Sequence, residues 1–136
     1  MSAPTLNKSE RLHRKKQIEK VFAGGARSFS LFPLRVVYLP LDDLDADAAI
    51  LISVSKRHFK RAVKRNRVKR QIREAYRKNK HLLLDAINGE KCKLAVAFIY
   101  LSNELPETDV INNKMKVALQ RVAEQCSSKE EKQANN

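Results

Sequence analysis

The sequence predicts an α+β two-layer sandwich, a small and mostly antiparallel sheet with helices packed on one face. Three observations carry that expectation. Three short runs are rich in β-branched, aromatic or continuous apolar residues and have strand length. Two longer stretches repeat their apolar residues at helical spacing. The chain of 136 residues, 43% hydrophobic and 32% charged, fits one domain with a single core under a heavily charged surface.

Residues 1–14 are polar, basic and aperiodic, and read as a flexible basic arm ahead of one domain over residues 15–126. A short helical pattern follows with Ile18, Val21 and Phe22 on one side, and Gly24-Gly25 stops it. From Ser28 to Leu39, Phe29, Phe32, Val36, Val37 and Tyr38 read as strand. Pro33 marks a bulge, a break or an edge there, with an extra short strand around Arg27 to Phe29. Pro40 ends the run, Asp42 to Asp47 is turn-like, and Ala49 to Val54 is a strand expected to pair antiparallel with the one before it. Lys56 to Arg61 then connect to a helix that starts near Ala62, runs to the low eighties and frays near Asn88-Gly89. Lys93 to Leu101 reads as a buried strand. Pro106 opens a last helix with Ile111, Met115, Ala118, Leu119, Val122 and Cys126 on one stripe. Residues 127–136 are polar and read as a disordered tail.

Charge is concentrated in one place. Of 28 Lys and Arg residues, thirteen lie between Lys56 and Lys80 with Glu74 as the only acid, a local excess of +12 out of a net +13. At about 100° per residue, Val68, Ile72, Ala75, Tyr76, Leu82, Leu83 and Ala86 share one arc, while Asn66, Arg67, Lys69, Arg70, Arg73, Arg77 and Lys78 fill the opposite one. A solvated helix face normally mixes signs, and this wall repels itself until a polyanion neutralises it, which points to phosphate contacts and nucleic acid. The apolar arc is needed to cover the sheet, which disfavours a membrane-surface or calmodulin-target helix. No heptads follow, against a leucine-zipper DNA binder. Aromatic residues available for stacking on unpaired bases favour RNA.

Other chemistry finds little support. No Ser or Cys is spaced with His13, His58 or His81 as a nucleophile-base pair, and three glycines make no phosphate-cradling loop. Asp43, Asp45 and Asp47 imitate the start of a calcium loop, but Ala48 and Val54 stand where its glycine and glutamate belong, so no metal is expected. Cys92 and Cys126 read as reduced core residues. The longest apolar stretches, Leu31 to Leu41 and Leu94 to Leu101, fall short of the roughly 20 residues of a membrane helix, and no signal region precedes them. A monomeric, cytoplasmic protein without a membrane partner is expected.

The run Ser53-Val54-Ser55-Lys56-Arg57, then Arg61-Ala62, then Arg65-Asn66-Arg67-Val68-Lys69-Arg70 with Arg73-Glu74, resembles the signature of the bacterial ribonuclease P protein subunit. The likeness extends from about Leu12 to Gln125. It implies a fold similar to ribosomal protein S5 domain 2, with an unusual left-handed βαβ crossover. It also implies the role of small basic partner to a catalytic RNA that removes the 5′ leader of precursor tRNA, an endonuclease whose Mg2+ and catalytic centre belong to the RNA. By the resemblance, Lys56, Arg57, Arg61, Arg65, Asn66, Arg67, Lys69, Arg70 and Arg73 face the ribonuclease P RNA subunit, with Asn66 either binding RNA or capping the helix. Ile18, Phe22, Phe32 and Tyr100 fall in a cleft that receives the leader. Ile18 replaces an aromatic common in the family, and Ile99-Tyr100 stands where a basic residue is common. The rival readings are a ribosomal or other structural RNA-binding protein, and a nuclease acting without RNA.

Overall fold

The computed structural model describes residues 8–88 and 93–134, with side chains described for 8–87 and 93–125. A single 3₁₀ turn, Lys8–Glu10, leads into α1 (Lys15–Phe22), β1 (Arg27–Leu31), β2 (Leu34–Pro40), β3 (Ala48–Val54), α2 (Ala62–Asn79), α3 (His81–Asn88), β4 (Leu94–Tyr100) and α4 (Thr108–Ala134). The strands form one sheet in the order β1-β2-β4-β3, with β1-β2 and β2-β4 antiparallel and β3-β4 parallel. The α+β class holds.

The strand expected over Ser28 to Leu39 is a hairpin. Phe32-Pro33 forms its two-residue turn, and Leu31 pairs with Leu34 beside it. The expected pairing of β2 with β3 does not occur, because β4 lies between them. β4 is apolar on both faces, and a strand of that kind belongs at the centre of a sheet with both edges hydrogen-bonded. The connection from β2 to β3 steps across it, anchored by the buried Leu41 and Leu44.

Side-chain alternation sorts the core into two layers. Leu34, Val36, Tyr38, Ile50, Val54, Leu94, Val96, Phe98 and Tyr100 meet α2, α3 and α4 on one face. Val37, Ala49, Ala95 and Ala97 meet Leu12, Val21 and Ile18 on the other. The expectation that every helix lies on one face is therefore corrected: α1 packs on the opposite face against β2 and β4, where the alanines of β4 let it approach the sheet.

α2 begins at Ala62 as its periodicity predicts, and Val68, Ile72, Ala75 and Tyr76 are buried. Burying large apolar side chains is worth roughly 1.5–3 kcal/mol each, whereas like-charge neighbours one turn apart cost a few tenths, so the stripe outweighs the repulsion on the outer wall. The helical run breaks at Lys80, and α3 continues the core with Leu83 and Ile87. Asn79, buried just before the break, donates to the Ala75 carbonyl and to Asn112 Oδ1 of α4, both at 2.8 Å. Asn79→Ala is expected to cost about 1–3 kcal/mol of stability, read from the urea midpoint, because Asn112 loses its buried donor.

Two expected chain ends differ. From Lys8 onward the arm lies on the domain: Arg11 bridges Ile50, the Leu12 N–H donates to the Ile50 carbonyl at 2.7 Å, and Glu10 pairs with Lys80 Nζ at 3.0 Å. Leu12 is the apolar residue that makes this docking favourable. At the other end α4 continues as helix to Ala134 through most of the expected tail. Lys, Glu, Gln and Ala are strong helix formers, so low hydrophobicity alone misjudged that stretch. Cys92, the Cys126 side chain and Gly89 lie outside the described residues.

Candidate nucleic-acid interface

The cationic wall is built on a fastened loop. Ser55 starts it, its carbonyl accepting from the His58 and Phe59 N–H groups and its Oγ from the Arg57 N–H. Phe59 is buried and stacks on Tyr100 with ring centroids 6.0 Å apart, and His58 hydrogen-bonds Asn103 in the loop after β4. These contacts hold Lys56 and Arg57 at the surface ahead of Arg61, which occupies the N-cap position of α2 in an extended conformation.

Along α2 the structure keeps Arg67 and Arg70 exposed and Lys69 and Arg73 partly buried. Arg65 behaves differently from its neighbours. Its Nη1 donates to the carbonyls of Phe59 and Lys60, each at 2.8 Å, so this guanidinium also closes the loop onto the helix. Asn66 lies in the second turn, exposed and five residues beyond Arg61. Capping is out of its reach, which removes the structural alternative for that residue. Glu74 is the lone acid on the helix and accepts from Arg77 Nη2 at 2.8 Å. That hydrogen bond, reinforced by the charges of Arg77, Lys78 and Arg73, holds its carboxyl below the usual range.

The second feature is an open groove of about 200 Å³ between α1 and the sheet, lined by Val21, Phe22, Gly24, Ala26, Ser28, Arg35, Val37 and Ile99. Gly24 turns the chain out of α1 with φ at +102°, a conformation that side-chain-bearing residues rarely adopt. The register lays Ser30, Arg35, Ile99 and Ser53 in one row across the sheet, with Ser28, Val37, Ala97 and Leu51 in the next. Apolar side chains thus alternate with hydroxyls around one cation, Arg35. Phe22 stands at the rim, 48% exposed.

Of the four expected cleft residues, the structure brings only Phe22 to the groove lining. Ile18 is partly buried against the α1-side core. Phe32, 66% exposed, sits at the hairpin turn, two residues beyond Ser30 and past the Leu31-Leu34 pair. Tyr100 is a correction: it is buried on the opposite face, and its hydroxyl donates to the Glu104 carbonyl at 2.6 Å. Burial raises its pKa. Two-residue alternation along β4 places Ile99, not Tyr100, in the groove. Arg35 was missed, although its isolation between Leu34 and Val36 marks an outward-facing strand position.

Among the described residues no group of three or more His, Cys, Asp or Glu is placed to hold a metal ion, and no helix is long and apolar enough to cross a membrane.

Comparison with known proteins shows the family and the fold. A family model described as Ribonuclease P matches residues 6–123. A ribonuclease P protein component from Porphyromonas gingivalis is 46% identical over 125 residues, covering 90% of both chains. The RNase P protein of Staphylococcus aureus superposes with a TM-score of 0.67 at 22% identity, over 85% of this chain and 96% of that one. The RNase P protein of Thermotoga maritima gives 0.65 at 20% identity, over 82% and 96%.

Proposed function

This chain belongs to the ribonuclease P protein family, and from that premise we propose that its α2 wall docks on the RNA subunit while the groove beside α1 receives the single-stranded 5′ leader of precursor tRNA. It is a protein component of ribonuclease P and serves tRNA processing. The observation that carries the finer reading is the sign of the wall: Lys56, Arg57, Arg61, Arg67 and Arg70 are exposed together, and the one acid of α2 is held by Arg77. Such a surface binds a phosphate backbone through counterion release and speeds encounter with it. Arginine's planar fork suits phosphate oxygens in pairs.

In this reading the groove contributes differently. Phe22 offers a flat aromatic face to unstacked bases, Ile99 adds apolar contact, and Arg35 offers one phosphate contact among the serine hydroxyls. Binding of that kind tolerates many leader sequences, because every base has a π-face. Hydrolysis and its Mg2+ are assigned to the RNA partner, as the family resemblance implies. Glu74, the one acid of α2, is held by Arg77, and among the described residues no group of three or more His, Cys, Asp or Glu is placed to hold a metal ion. The protein's part is to screen RNA repulsion and to favour precursor over mature tRNA.

The test is cleavage of 5′-labelled precursor tRNA at low magnesium by a cognate ribonuclease P RNA alone, by this protein alone, and by both. Cleavage at the mature 5′ end that appears or strongly accelerates only in the mixture is expected. No stimulation would leave a structural RNA-binding protein, and cleavage by the protein alone would overturn the assignment of catalysis to RNA. Within the same assay, Phe22→Ala is expected to weaken binding of leader-bearing substrate by on the order of tenfold, the loss of one stacked base, with mature tRNA unaffected. Its 48% exposure predicts little change in the melting temperature.

A further inference from the structure

A third concavity, of about 250 Å³, lies at the open edge of β3 on the α2 side of the molecule. Ile50 and Ile52 form its floor, Lys69 and Arg73 of α2 one wall, and Arg11 and His13 of the N-terminal segment the other. Every ionisable side chain lining it is basic. Clefts lined by one sign of charge over apolar walls focus the field and concentrate counterions.

The segment carrying Arg11 and His13 is held by its backbone and by an ion pair on either side, Glu10 with Lys80 and the exposed Arg14 with Asp45 at 3.2 Å. Arg11 bridges Ile50, and Leu12 is buried between the two outward-facing residues. Immediately before them, Glu10 receives Lys80 Nζ at 3.0 and 3.1 Å, with both side chains only 14% exposed. His13 Nδ1 lies 3.0 Å from the Arg11 carbonyl oxygen, which only accepts, so that nitrogen carries a proton, and Nε2 meets a phosphate oxygen only as the second N–H donor of an imidazolium. The fold thus sets two basic residues opposite two others over an apolar floor, and an anion in the space between them would offset their mutual repulsion.

We infer that this groove is a phosphodiester-binding site for the RNA subunit, in which Arg11 and His13 grip the backbone opposite Lys69 and Arg73, and Glu10 is the positioning residue that keeps them there. The inference rests on the reading of this chain as an RNA-binding subunit. It commits to the RNA subunit because Lys69 and Arg73 belong to both the groove and the α2 wall, so one continuous strand of phosphates can follow both.

The deciding measurement is the Kd for the RNA subunit across a salt series, for the full chain and its Arg11→Ala, Glu10→Gln and doubly substituted forms, with cleavage stimulation followed in the same samples. Arg11→Ala is expected to weaken binding on the order of tenfold and to flatten the log-log salt slope by about one. Glu10→Gln removes a negative charge from a protein of net +13, so net charge alone predicts tighter RNA binding. A positioning role predicts the opposite, a severalfold loss that largely disappears when Arg11 is already alanine. Thermal melts exclude unfolding as the cause, and Arg11→Ala, at an exposed side chain, stands as a test should Glu10→Gln fold poorly. Tighter binding by a folded Glu10→Gln, unchanged affinity of Arg11→Ala, or a loss confined to precursor tRNA would overturn the inference. If the unsubstituted protein binds and stimulates while the variants match it, the groove alone is wrong. If the unsubstituted protein does neither, the underlying reading fails and the groove with it.

Discussion

Reversing two charges on the wall, Arg67→Glu together with Arg70→Glu, is expected to lower affinity for the RNA subunit by on the order of a thousandfold at physiological salt. Both side chains are exposed, both belong to the same outer face of α2, and neither touches the buried stripe of Val68, Ile72, Ala75 and Tyr76. The change takes the formal charge from +13 to +9, two units at each position, and sets two carboxylates against phosphates. Removing two phosphate contacts should flatten the salt slope by about two, which separates this effect from general loss of charge. A filter-binding or fluorescence titration across a salt series reads both quantities, with circular dichroism confirming that α2 persists. Binding within threefold of the unsubstituted protein would remove the wall from the interface.

The largest effect on the fold is expected from Phe98→Ala. Phe98 is fully buried at the middle of β4, paired with Val36 on one side and Ile52 on the other, with its ring centroid 6.1 Å from that of Tyr76. Deleting it removes the aromatic contact and opens a cavity between the sheet and α2, costing about 3–5 kcal/mol. That is a large share of the 5–15 kcal/mol typical of a whole domain, and the midpoint of thermal unfolding should fall on the order of 15 °C. Phe98→Leu, which keeps most of the volume, should lose much less. A loss under about 1 kcal/mol for Phe98→Ala would contradict the packing described for this strand.

Short-range signals were read well from the sequence. The start of α2 at Ala62, its buried stripe and its cationic wall all follow from periodicity within one helix, and the apolar run of β4 follows from composition. What the sequence left open is non-local. Whether β2 pairs with β3 or accepts β4 between them depends on which strand gains most from two neighbours, and no single segment reveals that. The face chosen by α1 turns on alanines at Ala95 and Ala97, whose smallness matters only once a helix lies across them. The family resemblance puts Tyr100 in the cleft, whereas strand parity puts it in the core and hands the position to Ile99. The candidate site was accordingly legible where it is helical. It was misread where one residue along a strand exchanges inside for outside. The N-terminal segment was misjudged for a related reason: a lone leucine among basic residues carries no period, and Leu12 acquires meaning only beside Ile50.

The central place of β4 also sets an order of events during synthesis. β1 and β2 can pair as soon as they emerge, but β3 has no neighbouring strand in the sheet until β4 exists, and some 40 residues separate Val54 from Leu94. At roughly 5–20 residues per second, that interval lasts about two to eight seconds. During it an apolar strand waits without its partner strand, the condition in which nascent chains stick to one another. The residues made in that interval include the most highly charged part of the chain, Lys56 to Lys80, and like charge on every copy keeps copies apart. The same cations that later meet RNA thus guard the unfinished sheet against its own kind.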